Sequence, residues 1–370
     1  MSPSPPLRHV GIGLGHIRHW NDGLGEFSRQ LCGALAARAD ELRETERIAL
    51  HFHLPAAFQG LFGDRVGYLP THTLQRLLHV AAPRFAAEGG QRFDLWHTLH
   101  QHNRLRAPLG SRRRIETVHD LNFLHTKSGA KRERYRARLA RRLAPLDAVV
   151  AITHYVAGDL ARELPALRTP PVVVHNGATD LTRIAQTRPE GLPERPYLLH
   201  VSRLAPTKNI AALLDLAAAW PDHALVLAGA TSDYTATVER GIAERGLANV
   251  TLRLDISEAE KAWLYAHCEG FLFPSLAEGF GLPPIEAMHF GKPVFLSRLT
   301  SLPEVGGDAA YYFDRFDAAH MRAAIEAGLA AHRTPGRAEA TTAHARHFAW
   351  PRCADAYLGV YRRVLASGRG

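Results

Sequence analysis

Two glutamates, Glu278 and Glu286, bracket a glycine- and proline-rich turn in the segment from Phe271 to Glu286, FLFPSLAEGFGLPPIE. Gly279 and Gly281 let backbone amides approach a ligand closely. Pro283 and Pro284 open a helix whose first turn presents unpaired N–H groups and a positive dipole end. Such a turn, with Phe280 and Leu282 beside the glycines, binds oxyanions and hydroxyls. Phosphate repels a carboxylate, so both glutamates make better sense as acceptors from sugar hydroxyls. Glu278, at the turn, would face one sugar, and Glu286, inside the helix, the ribose of a nucleotide. The bland alternative makes Glu278 a helix cap and Glu286 a surface residue.

A phosphate also needs cations, and SRLAPTKN supplies two, Arg203 and Lys208. Arg203 offers a planar fork to diphosphate oxygens, and Lys208, at the start of the next helix, a mobile point charge. Nearer the N-terminus, Asp22-Gly23-Leu24-Gly25 precedes a helix expected from Glu26. That loop also carries His16, Arg18, His19 and Trp20. His119 and Asp120, in TVHDL, stand at a strand end. Asp120 could cap its turn.

These groups need elements to hold them. Apolar runs of strand length alternate with segments of helical period, the pattern of parallel sheets with crossover helices, so the class is α/β. Strands are expected near Arg8 to Gly13, Ile48 to His53, Phe93 to Thr98, Arg114 to Val118, Ala148 to Ile152 and Val172 to His175. Further strands are expected at Tyr197 to Val201, Ala224 to Leu227, Val250 to Leu254, Gly270 to Phe273 and Val294 to Ser297. Between the two sets, residues 179–196 are polar and proline-bearing, as in a linker. The expected organisation is residues 1–178 as an N-terminal Rossmann-like domain, 179–196 as linker and 197–349 as a second Rossmann-like domain. Residues 350–370 form a last helix expected to pack back across the interdomain region. Asn176-Gly177 is expected to turn the chain, with Gly177 in a backbone angle that other residues resist.

At 370 residues, two cores of ordinary size are possible. Cys32, Cys268 and Cys353 lie far apart, which suggests neither a disulfide framework nor a zinc site and fits a reducing cytosol. No segment approaches the roughly 20 apolar residues of a membrane span. Lys and Arg outnumber Asp and Glu 45 to 36, a net charge of +9 that favours an anionic partner. The densest basic run is Lys131, Arg132, Arg134, Arg136, Arg138, Arg141 and Arg142, with Tyr135, Leu139 and Leu143 recurring every four positions. It reads either as a solvated arginine face or as a dock for anionic lipid headgroups, giving a cytoplasmic chain with peripheral contact at the inner face of the membrane.

The motifs S-R-L-x-P-x-K-N, F-x-F-P-S-x-x-E-G-F-G-L-P-x-x-E-A-M, G-K-P-V and S-L-P-E-V-x-G-D-A-A occur in order from about Tyr197 to Phe313. This stretch resembles the donor domain of the retaining GT-B glycosyltransferases of family 4. The first half is similar to that family's acceptor domain more loosely. The resemblance implies two Rossmann-like domains facing an interdomain cleft, with Arg203 and Lys208 on the diphosphate, the amides of Gly23 and Gly25 closing over the donor phosphates, Glu278 on the donor sugar and Glu286 on the ribose; His119, beside the donor sugar, is a catalytic and acceptor-site candidate, and Asp120 would orient His119 or bind the acceptor. It implies hexosyl transfer with retention from GDP-mannose or a UDP-hexose to a glycan or glycolipid of a surface polysaccharide such as lipopolysaccharide. No carboxylate stands out as a nucleophile, so front-face displacement is expected, with the leaving diphosphate taking the acceptor's proton. No metal or other cofactor is expected, since no D-x-D lies between apolar residues. Glu304, in S-L-P-E, is expected to cap a turn or hold the donor-site loop. The rival readings are a GT-B epimerase or phosphorylase and a nucleic-acid or polyanion binder, although the scattered basic residues lack the aromatic interleaving of recognition modules.

Overall fold

The computed structural model describes residues 6–14, 23–71, 92–103, 107–108 and 110–367. The chain divides into two compact units, one of Met1–Gly177 with Trp350–Gly370 and one of Ala178–Ala349.

In the first unit seven strands form one parallel sheet: β1 (Arg8–Gly13), β2 (Ile48–Pro55), β3 (Gly67–Thr71), β4 (Leu95–Thr98), β5 (Arg113–Val118), β6 (Ala148–Ala151) and β7 (Val172–Val173). Their order is β3-β2-β1-β4-β5-β6-β7, with Val10 of β1 in register with Leu50 on one side and Leu95 on the other. All four residues of β4 and of β6 are buried, as expected where crossover helices cover both faces. A Cβ at Gly11 would lie 2.3 Å from the Trp96 ring, so glycine here is what lets the indole lie flat on β1.

The second unit has six parallel strands: β8 (Tyr197–Val201), β9 (Ala224–Gly229), β10 (Val250–Leu254), β11 (Gly270–Phe273), β12 (Val294–Ser297) and β13 (Tyr311–Phe313). Their order is β10-β9-β8-β11-β12-β13. In both sheets the order reverses beside the first strand, between β1 and β4 and between β8 and β11. That reversal is the switch point at which open α/β sheets place ligands, beyond the carboxyl ends of the strands.

Two strands escape the sequence reading, β3 and β13. Both are edge strands; β13 has only three residues, and β3 contains Pro70, which cannot donate to a ladder and disguises a strand as a turn. The expected strand at Val172 to His175 is reduced to two residues.

Residues 179–196, the whole of the expected linker, belong to the second unit. Leu181 and Leu192 are buried, and Thr187 N donates to Ala259 O at 3.2 Å. The last helix, Trp350–Ala366, belongs to the first unit, where Cys353, Tyr357, Leu358 and Tyr361 join the core that Phe27 and Leu31 of the helix Gly23–Ala36 also enter. Its polar anchor is a buried chain: Tyr361 Oη lies 2.7 Å from His97 Nδ1, His97 Nε2 2.9 Å from Thr117 Oγ1, and Thr117 Oγ1 2.9 Å from Tyr357 Oη. Gly177 is needed for a different reason than a turn. It is not at positive φ, but a Cβ there would come within 2.5 Å of the Trp350 ring and backbone nitrogen. No described helix is long and apolar enough to cross a membrane.

Candidate functional site

The loop after β8 is shaped before any ligand arrives. Ser202 N donates to Ala228 O at 3.0 Å, and Ser232 Oγ donates to Leu204 O at 2.7 Å. Gly229, at φ +149°, admits the close approach, since a Cβ there would sit 1.8 Å from Ser202 O. Beneath the loop, buried His200 puts Nδ1 2.8 Å from the carbonyl of Leu272 and Nε2 2.7 Å from Ser202 Oγ. Burial lowers its pKa to about 4. The ring is therefore neutral, with Nδ1–H donating to Leu272 O and Nε2 accepting from Ser202. The loop ends in a single 3₁₀ turn, Pro206–Lys208, and in Asn209 at φ +55°, ahead of the helix Ile210–Ala219.

The loop after β11 is tied to it. Leu276 N donates to Thr207 O at 2.7 Å, and Ser275 Oγ lies 2.9 Å from the same carbonyl and 2.6 Å from Glu278 Oε1. Lys208 Nζ forms an ion pair with Glu278 Oε1 and stands 5.2 Å from the centroid of the Phe273 ring. The Lys208 and Glu278 side chains are only 19% and 12% exposed, so neither charge is simply solvated. The expected diphosphate cation and the expected sugar-binding carboxylate thus meet in one pair at the switch point. Coulombic attraction in partly dried surroundings holds each in place.

Beyond Glu278 the chain turns through Gly279, Phe280 and Gly281 into the helix Leu282–His289. Gly281 is at φ +112°, where a Cβ would also press to 2.9 Å from Leu302. Phe280 is buried edge-on against Phe348 at 5.7 Å. Glu286 faces inward rather than lying on the surface: it is 5% exposed, Tyr265 Oη donates to its Oε2 at 2.8 Å, and Lys261 Nζ lies 3.5 Å from its Oε1. Each oxygen keeps lone-pair capacity for a further donor. Arg203 is exposed, with no ion-pair partner among the described residues. Glu304 sits in the first turn of the helix Leu302–Gly306.

In the first unit His119 follows β5 and is 6% exposed. Its Nε2 lies 2.9 Å from Leu99 O, and the Phe27 ring meets it edge-on at 4.5 Å. Burial lowers its pKa to about 4, so Nε2–H donates to the carbonyl and the ring is neutral. Gln101, on the loop after β4, brackets the turn, its Oε1 accepting from His119 N at 3.0 Å and its Nε2 donating to Asp120 O at 2.9 Å. Asp120 Oδ1 accepts from Asn122 N at 2.8 Å, which is the turn-capping alternative realised. Gly23 and Gly25 do not lie in a loop ahead of a helix; they are in the first turn of the helix Gly23–Ala36. Residues 15–22, with His16, Arg18, His19, Trp20 and Asp22, lie outside the described residues.

The sequence reading missed Gln101, Ser275, Thr300 and Ser301. Thr300 Oγ1 accepts from Glu278 N at 3.1 Å, and Ser301 Oγ lies 3.1 Å from Glu278 O and 3.0 Å from Phe280 O. Ser275 and Ser301 stand inside the quoted motifs and could have been singled out, but a lone Gln or Thr in a loop has no signal of its own.

Two parallel-sheet Rossmann-like units, each with its switch point at the first strand, make this a GT-B fold. Sucrose-phosphate synthase from Thermosynechococcus elongatus aligns over 98% of this chain and 100% of its own, with a TM-score of 0.74 at 20% identity. Anabaena HepE, in complex with UDP and glucose, aligns over 96% and 99% with a TM-score of 0.70 at 18% identity. Residues 183–341, which carry the Lys208–Glu278 pair, match the model of the family glycosyl transferases group 1. The O-antigen chain mannosyltransferase B of Escherichia coli is 34% identical over 176 residues, 45% of each chain. The O-antigen chain mannosyltransferase RfbU of Salmonella typhimurium is 26% identical over 213 residues, 57% of this chain and 59% of its own. The matches thus span about half the length of these curated relatives.

Proposed function

We propose that the chain is a retaining hexosyltransferase that moves a hexosyl unit from GDP-mannose or a UDP-hexose to a glycan or glycolipid acceptor in surface polysaccharide synthesis. The observation that carries the reading is the Lys208–Glu278 pair at the β8/β11 switch point, beside the glycine turn that opens the helix Leu282–His289. The O-antigen mannosyltransferases among its relatives support a mannosyl donor, and the UDP complex of HepE supports a nucleoside diphosphate as ligand of this fold.

In this reading Arg203, Lys208 and the amides of Gly279, Phe280, Gly281 and Leu282 hold the diphosphate. Glu278 accepts from the transferred sugar's hydroxyls, and Glu286, fixed by Tyr265 and Lys261, accepts from the ribose. Gly23 and Gly25, at the positive end of their helix, are the first unit's candidates for a phosphate. His119 is the first unit's candidate for the donor sugar, and Asp120, besides capping its turn, its candidate for the acceptor. The bond from the anomeric carbon to the diphosphate breaks as the acceptor oxygen bonds on the same face. The acceptor's proton passes to the leaving diphosphate, whose charge Lys208 and Arg203 offset. We take the reaction to need no metal ion.

Nucleoside diphosphate release from GDP-mannose and UDP-hexoses, measured with and without an oligosaccharide or polyprenyl-linked acceptor, tests the proposal. Release that requires the acceptor, with a retained anomer in the product, is expected. Conversion of the donor without any acceptor would indicate an epimerase, and no consumption of any nucleotide sugar would remove glycosyl transfer altogether.

Peripheral membrane contact, at the inner face of the cytoplasmic membrane, is part of the same proposal. In the helix Gly129–Leu143, Leu139 and Leu143 are buried, while Lys131, Arg134, Arg138 and Arg141 are exposed along one stripe with Tyr135, 39% exposed, among them. Exposed cations so arranged suit anionic headgroups, and cosedimentation with anionic vesicles measures it.

A further inference from the structure

Thr300 lies on the loop after β12 with a backbone φ of +54°. A β-branched residue at positive φ is an outlier, and such a conformation survives only where its surroundings over-determine it. Among the described residues four non-glycine positions have positive φ: Arg47, Asn209, Asp255 and Thr300. Three of these four follow β8, β10 and β12, on the carboxyl edge of the second sheet, and only Thr300 is β-branched.

Its contacts show what the conformation achieves. In extended chain, successive side chains point to opposite faces. Here the consecutive hydroxyls of Thr300 and Ser301 both reach the Glu278 turn, Thr300 Oγ1 on the Glu278 amide at 3.1 Å and Ser301 Oγ near the Glu278 carbonyl at 3.1 Å. The peptide groups on both sides of Glu278 are thereby gripped from the loop of the neighbouring strand. Ser275 lies 2.6 Å from the carboxylate itself, and Lys208 pairs with it.

We propose that Thr300 is a positioning residue for Glu278. Its left-handed backbone is maintained because it delivers a hydroxyl to the Glu278 amide and so fixes the carboxylate where the transferred sugar is bound. The proposal rests on the glycosyl-transfer reading and adds to it a residue that touches no substrate.

Three variants test it: Thr300→Ser keeps the hydroxyl, Thr300→Ala removes it at the same backbone cost, and Thr300→Gly removes both hydroxyl and strain. Thr300→Gly is expected to melt at or above the wild-type temperature, yet to turn over about tenfold more slowly, the scale of one hydrogen bond. Its affinity for GDP or UDP should stay within about twofold of wild type, because the loss falls on the transition state and not on nucleotide binding. Thr300→Ala should share the loss of kcat and Thr300→Ser should restore it. Amide exchange at Glu278 should quicken in the Ala and Gly variants only. A Thr300→Gly enzyme with wild-type kcat and wild-type protection at Glu278, or a Thr300→Ser enzyme as slow as Thr300→Ala, would overturn the proposal. A wild-type chain that consumes no nucleotide sugar would instead overturn glycosyl transfer, while the exchange measurement still reads the Thr300 contact.

Discussion

His97, His119 and His200 are buried with neutral rings, each hydrogen-bonded at the tautomer its neighbours dictate. Burial lowers their pKa values from 6.5 to about 3, about 4 and about 4. Below pH 6.5 the unfolded chain binds these protons and the folded chain does not. Stability is therefore complete above pH 6.5 and falls as the pH drops, by roughly 1.4 kcal/mol per pH unit for each such group until its folded pKa is reached. The urea midpoint should accordingly be lower at pH 5.5 than at pH 7.5. An unchanged or higher midpoint at pH 5.5 would mean that these rings are charged in the folded protein. Lys208 and Glu278 were legible in the sequence because glycine and proline beside a charged residue restrict what that residue can do. Gln101 and Thr300 were not, because their partners His119 and Glu278 stand 18 and 22 positions away and meet them only through strand pairing.

Strands buried on both faces announce themselves as apolar runs, and so β8, β11 and β12 were readable to the residue, while the edge strand β10 was readable from its alternation, VTLRL. An edge strand with a proline does not, as β3 with its Pro70 illustrates. Helix faces are harder, because one arginine looks like another in sequence while the fold gives them different partners. On the helix Gly129–Leu143, Arg142 is 2.6 Å from buried Glu116, Arg136 is 2.8 Å from Glu133 and Arg132 is 3.5 Å from Glu163. Lys131, Arg134, Arg138 and Arg141 form an exposed outward stripe, on which the proposed membrane contact rests. Reversing Arg134 and Arg138 to glutamate should cut cosedimentation with vesicles containing anionic lipid at low salt by about tenfold or more, given about 1 kcal/mol for each charge removed. Wild-type protein should also detach at high salt. Wild-type protein that never sediments with such vesicles would leave the stripe a solvated face.

At the scale of the whole molecule, the +9 charge named no partner, and the partition of the chain was harder to read than its class. A polar, proline-bearing stretch resembles a linker, yet Leu181 and Leu192 within it are buried in the second unit. The last helix carries too little signal to say which unit it completes until Tyr357 and Tyr361 are seen beside Thr117 and His97. What the two halves share is a way of holding a candidate residue. In each sheet that residue follows one strand, and its peptide is gripped by a side chain from the loop of the strand beside it. The central claim is that Glu278 serves the transferred sugar and Glu286 the nucleotide, and the most direct test measures both functions in both variants. Glu278→Ala should lower kcat by about a hundredfold, the scale of lost transition-state contacts to a charged group, while GDP or UDP affinity stays near wild type. Glu286→Ala should weaken nucleotide binding by about tenfold or more. Equal and negligible effects of the two substitutions on binding and turnover would contradict the account.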